Sequence, residues 1–126
     1  MSAKSLLLSA IALSLAACTT FQAPPAPAAV QDGVLVTPTG MSLYTFDKDP
    51  ADASRSVCNG PCASNWPPLA ASADANASGD WKPVLRDDGS RQWSYKGKPL
   101  YRWSKDQKPG ERSGDGFNGV WRLARP

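Results

Sequence analysis

Gly40-Met41-Ser42-Leu43-Tyr44-Thr45-Phe46-Asp47-Lys48-Asp49 returns 57 residues later as Gly97-Lys98-Pro99-Leu100-Tyr101-Arg102-Trp103-Ser104-Lys105-Asp106. The glycine, leucine, tyrosine, lysine and final aspartate are identical, and Trp103 answers Phe46. Trp66 and Trp121 follow at a similar spacing, so the chain reads as two pseudo-repeats, about 33–70 and 81–126. Within each copy the pattern has period two. Leu43 and Thr45 face one way and Tyr44 and Phe46 the other, while Leu100 with Arg102 opposes Tyr101 with Trp103. These are strands.

Further strands lie on either side. Val34-Leu35-Val36 precedes the first copy across Pro38-Thr39-Gly40, which is turn chemistry, and predicts a hairpin. In the second half Val84-Leu85-Arg86, the turn Asp87-Asp88-Gly89-Ser90, Gln92-Trp93-Ser94-Tyr95, the turn Lys96-Gly97-Lys98 and Leu100 to Trp103 predict a three-strand meander. A last strand is expected over Gly119 to Ala124. The stretches 47–59, 70–79 and 105–118 are rich in Asp, Ser, Ala, Gly and Pro and read as loops. The expected fold is all-β: one small domain, residues 33–126, of antiparallel hairpins and a meander built from two pseudo-repeats, with long loops and one local disulfide.

The chain has 126 residues, Lys+Arg 14 against Asp+Glu 11, three cysteines and no histidine. The missing histidine removes the commonest general base and the commonest metal ligand, which weighs against Ser-His-Asp, Cys-His and His-zinc chemistry. No catalytic constellation, metal site or cofactor site is expected, and the protein reads as non-enzymatic. So mild a positive balance predicts no nucleic-acid footprint.

Lys4, the apolar run Leu6 to Leu15 and the small residues before Cys18 form a secretory signal peptide over 1–17. The run is about half the length a spanning helix requires. Leu15-Ala16-Ala17-Cys18 looks like the lipobox of bacterial lipoproteins, which implies cleavage before Cys18 and its acylation, palmitate included, as a membrane anchor. Residues 18–32 then form an Ala/Pro-rich tether, long enough at about 3.1 Å per residue to hold the domain roughly 40 Å from the lipid. Thr19, not aspartate, follows the cysteine, which favours the outer membrane in a cell with two membranes. With Cys18 lipidated, Cys58 and Cys62 remain. In an oxidising exported compartment that pair reads as a disulfide around the Gly60-Pro61 turn. A redox role for it is the alternative.

Both Tyr-x-aromatic-x-x-Asp copies, together with Cys58-Asn59-Gly60-Pro61-Cys62-Ala63, Trp66-Pro67-Pro68-Leu69, Asp88-Gly89 and Gly119-Val120-Trp121, resemble a family of predicted bacterial lipoproteins or secreted proteins described as a secreted repeat of unknown function. The resemblance covers residues 33–126 and implies export, with no activity to carry over. Many relatives have a histidine after the last tryptophan, where Arg122 stands here.

Tyr44, Phe46, Asp49, Tyr101, Trp103 and Asp106 are expected to be structural, the aromatics buried and each aspartate capping its own turn, with paired acid/base carboxylates as the alternative. Trp66, Trp103 and Trp121 are the candidate binding surface, with Trp66 and Trp103 expected to be partly exposed. Asp47-Lys48-Asp49-Pro50-Ala51-Asp52 lacks the glycine and glutamate of a calcium loop. The expected role is a lipid-anchored envelope protein with a structural or interaction function, its partner an unknown envelope protein or glycan. A glycan or small-molecule binding module and a redox-linked periplasmic accessory are the alternatives.

Overall fold

Val34-Leu35-Val36 is apolar at every position and bounded by turn residues. In the computed structural model it forms β2 (Val34–Val36), paired antiparallel with β1 (Ala29–Gln31). The structure describes residues 26–126, with residues 3, 5 and 9–14 ahead of them. Asp32 and Gly33 join the two strands with φ of 50° and 75°, and Asp-Gly adopts that two-residue turn with little strain. The folded part therefore begins ahead of the Gly33 expected from sequence. Ala29 to Gln31 contribute backbone pairing and leave their small side chains exposed, so side-chain bulk gave no sign of them.

The remaining elements follow in order: β3 (Tyr44–Phe46), α1 (Pro61–Asn65), β4 (Ala70–Ala71), β5 (Trp81–Leu85), β6 (Arg91–Tyr95), β7 (Lys98–Pro99), a single 3-10 turn at Phe117–Gly119 and β8 (Trp121–Leu123). Pro61 opens α1 where its missing N–H costs nothing. The meander is present, with β5 and β7 flanking β6 and all pairings antiparallel. Two expectations change. Ala70 and Ala71 pair with Gln92 and Arg91, so the loop begins as strand, and Tyr101 makes single bridges to Tyr44 and Pro68 in place of a continuous strand to Trp103.

The repeats do not close on themselves. β3 of the first pairs with β8 of the second, Tyr44 opposite Leu123, and β4 of the first pairs with β6 of the second. Each copy lends its last strand to the other. Two rings of backbone hydrogen bonds show the exchange. Leu35 N–H donates to Ala124, Ala124 to Leu43 and Leu43 back to Leu35, while Trp93 donates to Leu69, Leu69 to Leu100 and Leu100 back to Trp93, all at 2.8–3.0 Å. Between them Tyr44 and Tyr101 exchange both backbone bonds, 2.8 and 2.9 Å, on the approximate twofold.

Aromatic rings fill the centre. Trp66 and Trp121 stack with centroids 3.8 Å apart and planes 5° from parallel. Phe46 continues the stack on Trp121 at 4.2 Å and Trp103 on Trp66 at 3.9 Å. Tyr44 meets Trp66 edge-on and Tyr101 meets Trp121 in the same way. Each such pair adds about 0.5–1.5 kcal/mol to the burial of its rings. A Cβ on Gly114 would lie 2.7 Å from the Trp66 ring, so this glycine is dictated by the stack. Trp66, Trp103 and Trp121 are 3%, 5% and 3% exposed. The expectation that Trp66 and Trp103 are partly exposed is therefore corrected, and the three rings offer no open face: a tryptophan from the opposite repeat covers the ring that its proline and arginine neighbours suggested was at the surface.

Candidate functional site

The repeated motif is tied across the repeats. The Tyr44 hydroxyl donates to Asp106 at 2.5 Å, and the Tyr101 hydroxyl donates to Asp49. Asp106 also accepts from the backbone N–H and hydroxyl of Ser113, and Asp49 from the N–H of Val57 at 2.8 Å. The caps expected within each aspartate's own turn are replaced by bonds to distant segments. The turns close instead through the backbone, Asp49 N–H to Phe46 and Asp106 N–H to Trp103.

Beside Tyr101 lies a polar cluster that the sequence reading missed. Arg86 is buried, donating through Nη1 to Ser56 Oγ and Gln92 Oε1 and through Nη2 to the carbonyl of Cys58. The signal was available, because Arg86 stands two residues after Val84, which also faces inward. Burial raises the Tyr44 and Tyr101 phenols above their ordinary value, and the hydrogen bonds to Asp106 and Asp49 add to the rise. Burial also raises Asp49, opposed by the bonds from Tyr101 and Val57 and by the charge of Arg86. Every buried side-chain N and O among the described residues has a partner. The motif is thus a satisfied cross-link in which carboxylates and phenols are already engaged with each other. Cys58 and Cys62 form a disulfide, Cα atoms 5.2 Å apart, around the start of α1. Cys18 lies outside the described residues. Among the described residues no group of three or more metal-ligating side chains comes together.

What does reach the surface is the outer face of the second-repeat hairpin. β6 reads Arg91-Gln92-Trp93-Ser94-Tyr95, and its polar residues point inward: Gln92 and Ser94 are fully buried, whereas Trp93 and Tyr95 are half-buried. Gln92 is satisfied by Arg86 and by the Leu100 carbonyl, and Ser94 by the Lys82 carbonyl. Across the strand pair Trp81 lies opposite Tyr95 and Pro83 opposite Trp93, so aromatic and apolar groups share one face, on which Trp81 and Tyr95 pack against a second apolar cluster of Leu35, Leu43, Leu100 and Ala124 and stay partly exposed. The Trp81 and Trp93 rings are edge-to-face at 6.3 Å, and Trp81 and Tyr95 lie 4.8 Å apart.

Trp81 and Trp93 line a cleft of about 680 Å³ whose other wall carries Ser72, Asp74, Asn76 and Ser78, with Pro27 at one end. The wall is fixed in place. Arg91 donates to the carbonyls of Ser72 and Ala73, and Ser78 and Trp81 exchange backbone bonds. The Ser72 hydroxyl donates to Asp74 at 2.7 Å and holds its carboxyl below the usual range. The approximate twofold breaks here. The first-repeat counterpart of Trp93 in the hydrogen-bonded rings is Leu35, which is buried.

The family profile described as a secreted repeat of unknown function matches residues 28–70 and again 82–125. The chain belongs to that family. The two matched segments correspond to the two repeats that exchange strands, and the description of the secreted repeat points to export. No helix among the described residues is long and apolar enough to cross a membrane. Neither the curated proteins nor the solved structures contain a match to this secreted repeat.

Proposed function

We propose that this secreted repeat is a lipid-anchored, non-enzymatic binding domain of the bacterial cell envelope, with the Trp81–Trp93 cleft as its working face and an envelope glycan as its ligand. One observation carries the reading: β6 buries its glutamine and serine completely and leaves its tryptophan and tyrosine partly exposed, reversing the usual order. Natural sequences depart from the inward-apolar pattern chiefly where function asks for it. Partly exposed indole rings can stack on the C–H faces of sugar rings, while Ser72, Asp74, Asn76 and Ser78 offer donors and acceptors to hydroxyls along the same cleft. A largely pre-formed pocket with an apolar floor and a few polar groups is the ordinary make-up of a small-ligand site. A redox role draws less support, because Cys58 is fully buried and Cys62 is only partly exposed.

Isothermal titration with peptidoglycan fragments and with a neutral chitooligosaccharide tests the reading. Trp93→Ala should abolish measurable binding while the melting temperature falls by only a few degrees, and Trp81→Ala, whose ring also packs against the Leu35–Leu100 cluster, should lose binding with a larger fall. Full binding by both variants would refute it. Anchoring through Cys18 is tested by intact mass of membrane-extracted protein, expected to be residues 18–126 plus acyl groups. A Cys18→Ser variant that stays with the membrane would refute the anchor.

A further inference from the structure

On the far side of Tyr95 from the tryptophan cleft lies a second groove, of about 430 Å³, and its lining is cationic: Lys96, Lys98, Arg122 and Arg125, with Asp115 as the one carboxylate among them. Asp47, just outside, pairs with Arg122 at 2.9 Å. The pair is bidentate, Arg122 Nε donating to both Asp47 oxygens at 3.0 Å, so that Arg122 is partly neutralised and the two lysines carry most of the free charge. Asp115 is engaged by the backbone N–H of Leu123. Even with both carboxylates counted, four cations face two acids, and this matches the excess of the whole chain after residue 17, thirteen cations against eleven acids. The groove thus carries a net positive charge.

The two grooves share one aromatic wall. Tyr95 lines the cationic groove, its ring lies 4.8 Å from that of Trp81, and Trp81 lines the tryptophan cleft. The Lys96 ammonium stands 5.4 Å over the Tyr95 ring, at the junction. The backbone adds an independent observation. Lys96 and Gly97 form the β6–β7 turn with φ of 48° and 84°, a geometry that favours Asn-Gly or Asp-Gly. The β1–β2 turn uses the favoured Asp32-Gly33 at the same geometry. At 96 the chain instead places a lysine in a left-handed conformation that long side chains seldom adopt. Local strain of this kind is retained at functional sites.

We infer that the ligand is an anionic glycan: sugar rings seated on Trp81 and Trp93, and a carboxylate or phosphate substituent carried past Tyr95 to Lys96, Lys98, Arg122 and Arg125. The inference rests on the proposed glycan reading. It assigns the cationic groove as a second subsite of the same binding face and makes negative charge the feature that selects among envelope polymers. The substitution Lys96→Asn would relax the turn and remove the charge, which separates binding from folding.

The test is titration of the exported protein with four probes: peptidoglycan fragments with free stem-peptide carboxylates, the same fragments amidated, a glycan bearing glycerol-phosphate groups, and a neutral chitooligosaccharide of equal length. The expected result is that at least one anionic probe binds tenfold or more tighter than its neutral counterpart, with an advantage that shrinks as salt rises. Which of the two binds tighter identifies carboxylate or phosphate as the source. Lys96→Asn and Lys98→Gln should each weaken anionic-probe binding about fivefold, the Coulomb value across roughly 4 Å of water, and leave the neutral probe unchanged. Lys96→Asn should melt at or above the parent temperature. Equal affinity for amidated, anionic and neutral glycans would overturn the anionic inference and leave the glycan reading standing. Absence of binding to all four would overturn both.

Discussion

Removing the Tyr44 hydroxyl tests whether the repeated motif is a clamp between repeats or a pair of local turns. In Tyr44→Phe the ring keeps its place against Trp66, but Asp106 loses a bond at 2.5 Å in a site where the tyrosine is fully buried and the aspartate 7% exposed. A hydrogen bond to a charged group contributes about 1.5–3 kcal/mol. The N–H of Gly114, which donates to the same hydroxyl at 3.2 Å, is left without an acceptor at a further cost of about 1–3 kcal/mol. The expected loss is about 2.5–6 kcal/mol, a large fraction of the stability of a small domain. Urea unfolding followed by tryptophan fluorescence, on Tyr44→Phe, Asp106→Asn and the double variant, isolates the bond. The coupling energy should be about 1.5–3 kcal/mol, because the partners touch. The control pairs Tyr44→Phe with Asp49→Asn, which lie in one motif and whose altered side-chain groups bond to different partners, and should be additive to within about 0.5 kcal/mol. Coupling within one copy and additivity across copies would refute the clamp. So would a loss of only about 1 kcal/mol on Asp106→Asn with no coupling, the value of a turn cap.

Alkaline pH should unfold the protein through the same residues. In the unfolded chain the phenols ionise at their ordinary 10.0, whereas burial raises Tyr44 and Tyr101 in the folded state. The unfolded state therefore releases protons first, and stability is fully present below pH 10 and lost as pH rises toward the folded values. Absorbance at 295 nm should show these two phenols ionising only together with the loss of fold, and independent native titration of both near 10 would contradict the burial. Trp121→Ala removes the centre of the ring stack and should cost about 3–5 kcal/mol, leaving no folded protein at 37 °C by circular dichroism. Gly114→Ala drives a methyl group against Trp66 and should destabilise by about 1–3 kcal/mol, again read by urea unfolding. Reduction of Cys58–Cys62 reopens a ring of five residues and should lower stability by about 2 kcal/mol, seen as a modest drop in melting temperature with two thiols newly open to alkylation.

Local pattern carried the motif registers, the meander and the disulfide, because each is set by neighbours in sequence. The period-two alternation of Tyr44 with Phe46 and of Tyr101 with Trp103 placed those pairs on common faces, and the rings do share one stack. Which strand closes which repeat was not legible. β8 pairs with β3, and the packing that goes with this pairing, Trp121 between Phe46 and Trp66, joins residues far apart in sequence. The same long-range choice misled the exposure of the tryptophans. Trp66 sits beside two prolines and Trp103 between arginine and serine, yet both are covered from the opposite repeat. Conversely, Trp81 and Trp93 showed no sign of exposure, because alternation fixes two faces of a strand without saying which is the inner one. The burial of Gln92 and Ser94 depends on Arg86 and on the carbonyls of Lys82 and Leu100, partners within the same meander that alternation alone does not assign to them.

The reciprocal loan of strands has a consequence for the order in which an exported chain folds. A polypeptide crossing a membrane emerges from its N-terminus, and the first repeat is outside long before the second. Yet β3 has no ladder partner until β8 arrives, and the ring of bonds through Leu35 and Leu43 stays open until Ala124 is present. Half of the Trp66–Trp121 stack is missing until the same moment. The emerging first repeat is thus an unfinished surface, unable to lock while the remainder of the chain is still passing through. Folding is deferred until β8 and Ala124 have emerged, and the transition that follows involves both repeats at once.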